Sequence, residues 1–506
     1  MIMRQLTTDE VKQLQTQRCW CEDWQKILVA DNFSAANIRN SSFYGNVMIG
    51  CGVTITDVKM IKGSGKPFKP NVISVQNEGG DGNVVLCQQL TAQLAWLSIH
   101  YKAVFDMLYN EVQEGRSSRG QEFKSSRVQE VQEVQIGDYA KIEGASKIVD
   151  SIICSSKEAP TYIGTDVILE GAVVQKSAEI TDGAKVSESF VGEAVHIGKG
   201  FSSEASCFFA NAYMDNGEAC AALCGPFACS HHKSTLLIGG EFSFYNAGSN
   251  TNQSNHAYKM GPIHWGTLQR GSKTASGCHI LWPATIGVFS MVMGKVATHP
   301  QIENLPFSYV FGDGEKTIVV PGINISTVGT WRDINKWPKR DGRVEGAKED
   351  LITYDFLNPF VMQHVHEGKK LLQDILDCII FNSDDEYVWY NGCQMKKSAL
   401  QRGIDYYTLI EELAGYTTDD EYVDILGFVA KKSAVEDIVA KVERKEIESS
   451  SALLAAVRDL KEDYPAIDDS ADACRRWHEM IKADALKEYN MGDVDKTMYQ
   501  HFIEKL

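Results

Sequence analysis

No apolar run in this 506-residue chain approaches the length of a membrane span, and residues Met1 to Glu10 lack the apolar core of a secretion signal. Both absences lead to the expectation of a cytoplasmic protein with no membrane partner. A disulfide framework is missing as well. The thirteen cysteines are odd in number and scattered from Cys19 to Cys474, the pattern of reduced thiols. Cys220, Cys224 and Cys229, followed by His231 and His232, fit no common zinc spacing, so the expectation is small buried side chains and no metal. Gly63-Ser64-Gly65-Lys66-Pro67 lacks the spacing and the following Ser or Thr of a phosphate-binding P-loop and reads as a turn.

The most informative absence is of negative charge. The chain holds 67 Asp and Glu and a net charge of −17, yet none of them falls between Glu241 and Glu303. That stretch carries Lys259, Arg270, Lys273 and Lys295, four histidines (His256, His264, His279, His299) and the amide-rich run from Gly248 to Asn255. A local positive field in an acidic protein attracts anions. From Val344 onward, 34 Asp and Glu face 19 Lys and Arg. An acidic region of that size repels phosphate backbones, which argues against nucleic acid as a partner.

What is present is a ladder. Ile136, Ile142, Ile148 and Ile153, then Ile163, Leu169, Val174, Ile180, Val186, Val191 and Ile197, recur in steps of mostly six, six and five. This spacing matches neither the helical nor the simple strand period. Gly follows the aliphatic residue at positions 137, 164, 192 and 198, and small or branched residues such as Ala140, Ala184 and Val195 follow four places on. That is the pattern of a hexapeptide-repeat β-helix, in which each unit forms a short strand and a corner, and three faces close one coil. A mainly β protein is expected, with glycine supplying the corner's backbone angles.

Val47 to Ile55 repeats the pattern earlier, while Leu90, Leu94, Leu97, Val104, Leu108 and Val112 stand at helical spacing and predict an insertion. Leu371 to Ile380 and Val435 to Leu460 predict amphipathic helices in the tail, whose simplest role is to cap or flank the prism. The expected organisation is an N-terminal helical segment (1–37), first β-helix coils (38–87), a helical insertion (88–127), the main hexapeptide β-helix with long loops (128–343) and an acidic α-helical C-terminal region (344–506). The ladder becomes irregular after Ile197 and recovers near Ile280, so long loops coincide with the acid-free stretch.

Thr285 to Val296 resembles the closing coils of hexapeptide acyltransferases, and Leu305-Pro306-Phe307-Ser308-Tyr309-Val310-Phe311-Gly312 resembles their exit segment. Ile263 to Gly271 is similar to a stretch of the UDP-N-acetylglucosamine acyltransferases of lipid A synthesis. The resemblance covers residues 38–330 and implies a left-handed parallel β-helix, a homotrimer with sites between neighbouring prisms, and no bound cofactor. It implies acyl transfer from a thioester of coenzyme A or acyl carrier protein to a sugar or nucleotide-sugar hydroxyl or amine. A histidine would take the acceptor's proton, and a backbone N–H would hold the oxyanion.

The candidate bases are His264, His256 and His279, the first two flanking Lys259 on a loop rich in Asn and Ser. Asn250, Asn252 and Asn255 are candidate sugar contacts; Lys259, Arg270 and Lys273 are candidate phosphate contacts. Hexapeptide β-helices also serve as binding modules, so the alternative is a non-catalytic scaffold that recognises a phosphorylated sugar or nucleotide. A sugar-nucleotide enzyme of another reaction type is the third reading. A full nucleotidyltransferase is disfavoured because no nucleotide-binding strand and glycine fingerprint precedes the ladder, and the histidine spacings do not suggest a carbonic anhydrase zinc site.

Overall fold

The aliphatic ladder folds into a parallel β-solenoid with three faces, as a computed structural model shows; it describes residues 3–65, 71–115, 134–256, 263–378, 385–418 and 420–490. Each face stacks one short strand per coil, and the interior of each face is a column of aliphatic side chains. One column runs Phe43, Ile61, Ile148, Leu169, Val186. The second runs Ile49, Ile136, Ile153, Val174, Val191, and the third Ile55, Ile142, Ile163, Ile180, Ile197. All of them are buried. Complete burial of one such side chain contributes about 1.5–3 kcal/mol, so one coil contributes three such terms to a continuous core. The six, six, five spacing is the walk around three faces, and 17 residues return the chain to the same face one rung on.

Glycine has a different task from the one expected. Gly137 and Gly192 do not adopt left-handed backbone; an added Cβ would lie 2.7 Å from the Ser155 nitrogen and 2.8 Å from the Phe208 carbonyl oxygen. They are small because the next coil passes so close. The left-handed corner falls two residues later, at Tyr139 (φ 59°) and Ala194 (φ 52°). Ordinary side chains hold it there because the rungs above and below fix the corner.

The solenoid starts before residue 38. Trp20–Cys21 and Ile27–Ala30 already pair in parallel with Ser42–Tyr44 and Val47–Ile49, and Met3–Gln5 lies antiparallel on Ile27–Ala30. Helix α1 (Thr8–Thr16) covers this end with Leu14, and its start is fixed by a Thr7–Glu10 capping box. The insertion is two helices, α2 (Ala92–His100) and α3 (Lys102–Gln113), separated by extended backbone at Tyr101. They fill a second core against Phe190, Phe209 and Leu223 of the solenoid and Leu426, Val435 and Leu453 of the tail. At the far end Tyr309–Asp313 turns back antiparallel onto Thr317–Val320. Helix α4 (Val328–Lys336) follows and lies along the prism.

The tail is not purely helical. After α5 (Pro359–Cys378) come two copies of one unit. Asp385-Glu386-Tyr387-Val388, Gly392 and Lys396-Lys397-Ser398-Ala399 reappear thirty-five residues later as Asp420-Glu421-Tyr422-Val423, Gly427 and Lys431-Lys432-Ser433-Ala434. Each copy is an antiparallel hairpin, Tyr387–Tyr390 with Cys393–Lys396 and Tyr422–Ile425 with Phe428–Lys431. Each runs directly into a helix, α6 (Lys397–Ala414) and α7 (Lys432–Glu443). Helices α8 (Ser450–Arg458) and α9 (Asp472–Asn490) follow; the expected positions Ile379 and Ile380 lie outside the described residues.

One buried carboxylate joins the parts. Asp350 accepts from the Ala92 nitrogen at the start of α2 and from the Ala210 nitrogen of the solenoid, both at 2.8 Å, while Arg343 Nη1 donates to the Asp350 carbonyl at 2.6 Å. Glu193 accepts from the Glu349 and Asp350 nitrogens. Burial pushes the Glu193 carboxyl above its usual range. No helix among the described residues is long and apolar enough to cross a membrane.

Candidate functional site

The residue just before each interior position points outward, and parallel pairing without slippage stacks these positions in line. On the third face the outward column reads Glu179, His196, Tyr213, Cys229, Asn246, Lys273. Neighbouring rungs lie about 4.8 Å apart, so successive side chains touch. The His196 and Tyr213 rings stack at 4.4 Å and 18°. His196 sits between Glu179 (3.6 Å) and Asp215 (3.3 Å), and Lys199 reaches Asp215 at 2.7 Å. Asp215 is 0% exposed, and its Oδ1 has no hydrogen-bond partner among the described residues.

Helix α4 and the turn after it roof this column. Thr327 caps the helix start, and Lys273 ties it down through Asp333 and, at 3.2 Å, the Gly329 carbonyl. Trp337 packs on Phe244 at 4.8 Å and Phe289 at 6.1 Å. Between roof and face lies a groove of about 450 Å³ with Tyr213, Phe227, Phe244 and Trp337 among its walls. Lys199, Lys336 and Arg340 line it against two carboxylates, Asp215 and Asp333. Asp333 is held by Lys273 and by Lys336 at 2.5 Å. Burial pushes its carboxyl up, but the two lysines outweigh that and leave it below its usual range. Burial conversely lowers Lys273. Arg340 and Asn246 have no side-chain partner among the described residues. Cys229 Sγ lies 3.0 Å from His231 Nδ1. Burial pushes the thiol up to about 11, so it is no thiolate nucleophile at neutral pH, and burial together with His232 lowers the imidazole.

The residues expected from sequence fall into separate places. Asn252 and His279 occupy neighbouring rungs of the first face, linked by Ser254, whose hydroxyl lies 2.9 Å from His279 Nε2 and donates to Asn252 Oδ1. Burial and Lys295 lower His279. Asn250 forms the left-handed corner before them. Asn255 donates to Glu78 and accepts, through its carbonyl, from the His264 nitrogen at 2.6 Å. His264 lines a separate cleft of about 360 Å³ with Asn77 and Gln301. His256 bridges Ile263, and Lys259 lies outside the described residues. Arg270 is buried in an ion pair with Asp424 (2.8 Å), and Lys273 stands behind the groove wall on Asp333. The acid-free stretch is thus met in space by acids from elsewhere in the chain. Among the described residues no three of His, Cys, Asp and Glu converge as a metal site.

Sequence reasoning missed His196, Tyr213, Asp215, Lys336, Trp337 and Arg340. A signal existed for the first two: Glu179, His196 and Tyr213 are spaced by one 17-residue coil, and Glu179 and His196 stand directly before the ladder residues Ile180 and Ile197. The roof has no such signal.

A family model described as "Domain of unknown function (DUF4954)" matches residues 3–54 and 47–376. The chain belongs to the DUF4954 family. The DUF4954 match contains the whole groove and stops before both hairpin units. Among curated proteins none matches the chain.

Proposed function

We propose that the groove under α4 binds a phosphorylated sugar or nucleotide. The observation that carries this reading is Arg340, a cation without a side-chain partner, beside Lys199 and Lys336 at a cleft walled by aromatic rings in an otherwise acidic protein. Cations hold phosphate, rings stack on a sugar or base, and Asn246 offers both a donor and an acceptor to hydroxyls. The size suits a small ligand. Thermal shift and calorimetry with UDP-sugars, sugar phosphates, coenzyme A and the free sugars test it. Phosphorylated ligands should raise the melting temperature and free sugars should not. Arg340→Ala should weaken binding about tenfold or more, about 1.4 kcal/mol. Unchanged affinity in that variant would sink the reading.

A second reading, acyl transfer from a coenzyme A or acyl-carrier thioester to that same ligand, is favoured by His231. Its lowered pKa keeps the imidazole neutral, and in the tautomer that carries its proton on Nδ1, beside the Cys229 sulfur, Nε2 is the base. This reading carries the left-handed coil and the homotrimer with it. Thiol release from acyl-coenzyme A in the presence of acceptor is its assay. His231→Gln should abolish release, with His264→Ala, His256→Ala and His279→Ala as the competing assignments. A monomer in sedimentation would remove the trimer.

A further inference from the structure

A second cleft, of about 200 Å³, opens where four parts of the molecule meet: α2, α5, the solenoid at residues 241–243 and 265–270, and the second hairpin. Its walls include Trp96, Phe242, Trp265 and Phe360. Its polar groups include the Glu241 carboxylate and the Gln269 amide. Glu241 Oε1 accepts from Trp96 Nε1 and Oε2 from Gln76 Nε2, both at 3.2 Å. Gln269 Oε1 is buried with no partner among the described residues. Its orientation is fixed: His364 Nδ1 donates to Asn304 Oδ1 at 2.6 Å, so His364 Nε2 is the acceptor and takes the Gln269 amide N–H at 3.5 Å.

The cation lining this cleft, Arg270, is engaged. Its donors go to Asp424 (2.8 Å), the Thr353 carbonyl (3.2 Å) and the Gly427 carbonyl (2.9 Å). His100, whose ring packs 4.1 Å from Trp96, is pushed down to about 4 by burial and is neutral. A carboxylate, an orphan amide oxygen and aromatic faces, with the lining cation already engaged, are the complement of the groove under α4. They ask for a ligand that brings positive charge and N–H groups.

We propose that this cleft binds a primary alkylammonium ion, with its charge on Glu241, one N–H on Gln269 Oε1 and its alkyl stem between the Trp96 and Trp265 rings. The surroundings of Glu241 agree. Burial pushes its carboxyl up to about 7, and Asp424 adds to that; Arg270, bonded to Asp424, and the neutral His100 are the other titratable groups facing the cleft. A bound ammonium supplies the missing opposite charge, so binding below about pH 7 releases a proton.

Calorimetry of the full chain with n-propylammonium and with n-propanol, at pH 8 and pH 6, tests this. The ammonium should bind at least tenfold tighter than the alcohol at pH 8, and more weakly at pH 6 with a proton released to buffer. Glu241→Gln should erase the preference, and Gln269→Leu, which leaves Glu241 in place, should weaken binding several-fold. Equal binding of alcohol and ammonium, absence of binding, or unchanged selectivity in Glu241→Gln would overturn the proposal. None of these outcomes bears on the groove, which Arg340→Ala reports separately.

Discussion

The two hairpin–helix units of the tail share a sequence and differ in everything they touch. The first joins the main sheet through Ile318 and Gln394, and its helix α6 closes the end of the prism with Tyr407, whose hydroxyl donates to the Pro306 carbonyl at 2.9 Å. The second forms its own two-stranded sheet and presses its turn against the side of the solenoid, with Leu426 packed on Gly225. Ion pairs flank both hairpins but join different members of the repeat: Glu386 with Lys396 in the first, Asp420 with Lys431 and Glu421 with Lys432 in the second. What changed are the residues facing outward. Trp389 in the first copy is 67% exposed, and the equivalent Asp424 in the second is partly buried and paired with Arg270. Where the first turn has Asn391-Gly392, the second has Leu426-Gly427, both pairs with positive φ. Asn-Gly is the easy solution for such a turn; Leu is not, and its presence shows that docking outweighed turn preference. Duplication supplied a fold, and a few positions decided where each copy attaches.

The strongest way to break this comparison is Asp424→Ala. It strands Arg270 in a buried site, which costs about 3–5 kcal/mol and should appear as a large drop in melting temperature. Next is Leu426→Ala, where loss of a buried leucine should cost about 2–5 kcal/mol in chemical denaturation. If either variant is neutral, the second copy is not docked as described.

A pH scan sharpens the picture. Glu241, beside the second copy, is protonated more readily folded than unfolded, with a value of about 7 against an ordinary 4.5. Its contribution to stability is therefore complete below about 4.5 and is lost as pH rises through about 7. Glu193 acts in the same direction. The melting temperature should fall over that window, and Glu241→Gln should flatten part of the fall. The smallest effect belongs to the first copy: Trp389→Ala should move stability by no more than about 0.5 kcal/mol.

How much of this was written in the linear sequence differs from part to part. The solenoid was legible because its core is local. Each coil places the next aliphatic five or six residues on, so Ile136 to Ile197 announce the three columns without any long-range information. The corner glycines were legible as positions but not as causes, since the close approach to Ser155 or Phe208 exists only once coils stack. The groove was half-legible, through Glu179, His196 and Tyr213 at one-coil spacing, while its roof arrives from Asp333 to Arg340. Arg270 and Lys273 looked like free cations because their partners, Asp424 and Asp333, stand far along the chain. The tail's duplication lay open in Asp-Glu-Tyr-Val and Lys-Lys-Ser-Ala, but amphipathic helices on either side drew the reading toward an all-helical region.

A stack of identical rungs has no length of its own. Nothing in the repeat tells the thirteenth coil from the third, and an open parallel edge invites the next strand, from this chain or from another. Here the first rung of the second face is met by Met3–Gln5 running the wrong way, and the last strand is folded back on itself by Thr317–Val320. A reversed strand breaks the solenoid's register, and beyond Thr317–Val320 the sheet goes on only into the first tail hairpin, through Ile318 and Gln394. The two reversals turn what could be a fibre into a molecule of defined size; a chain that lost one would be expected to pair its open end with that of a second copy, and a chain that lost both to polymerise end to end.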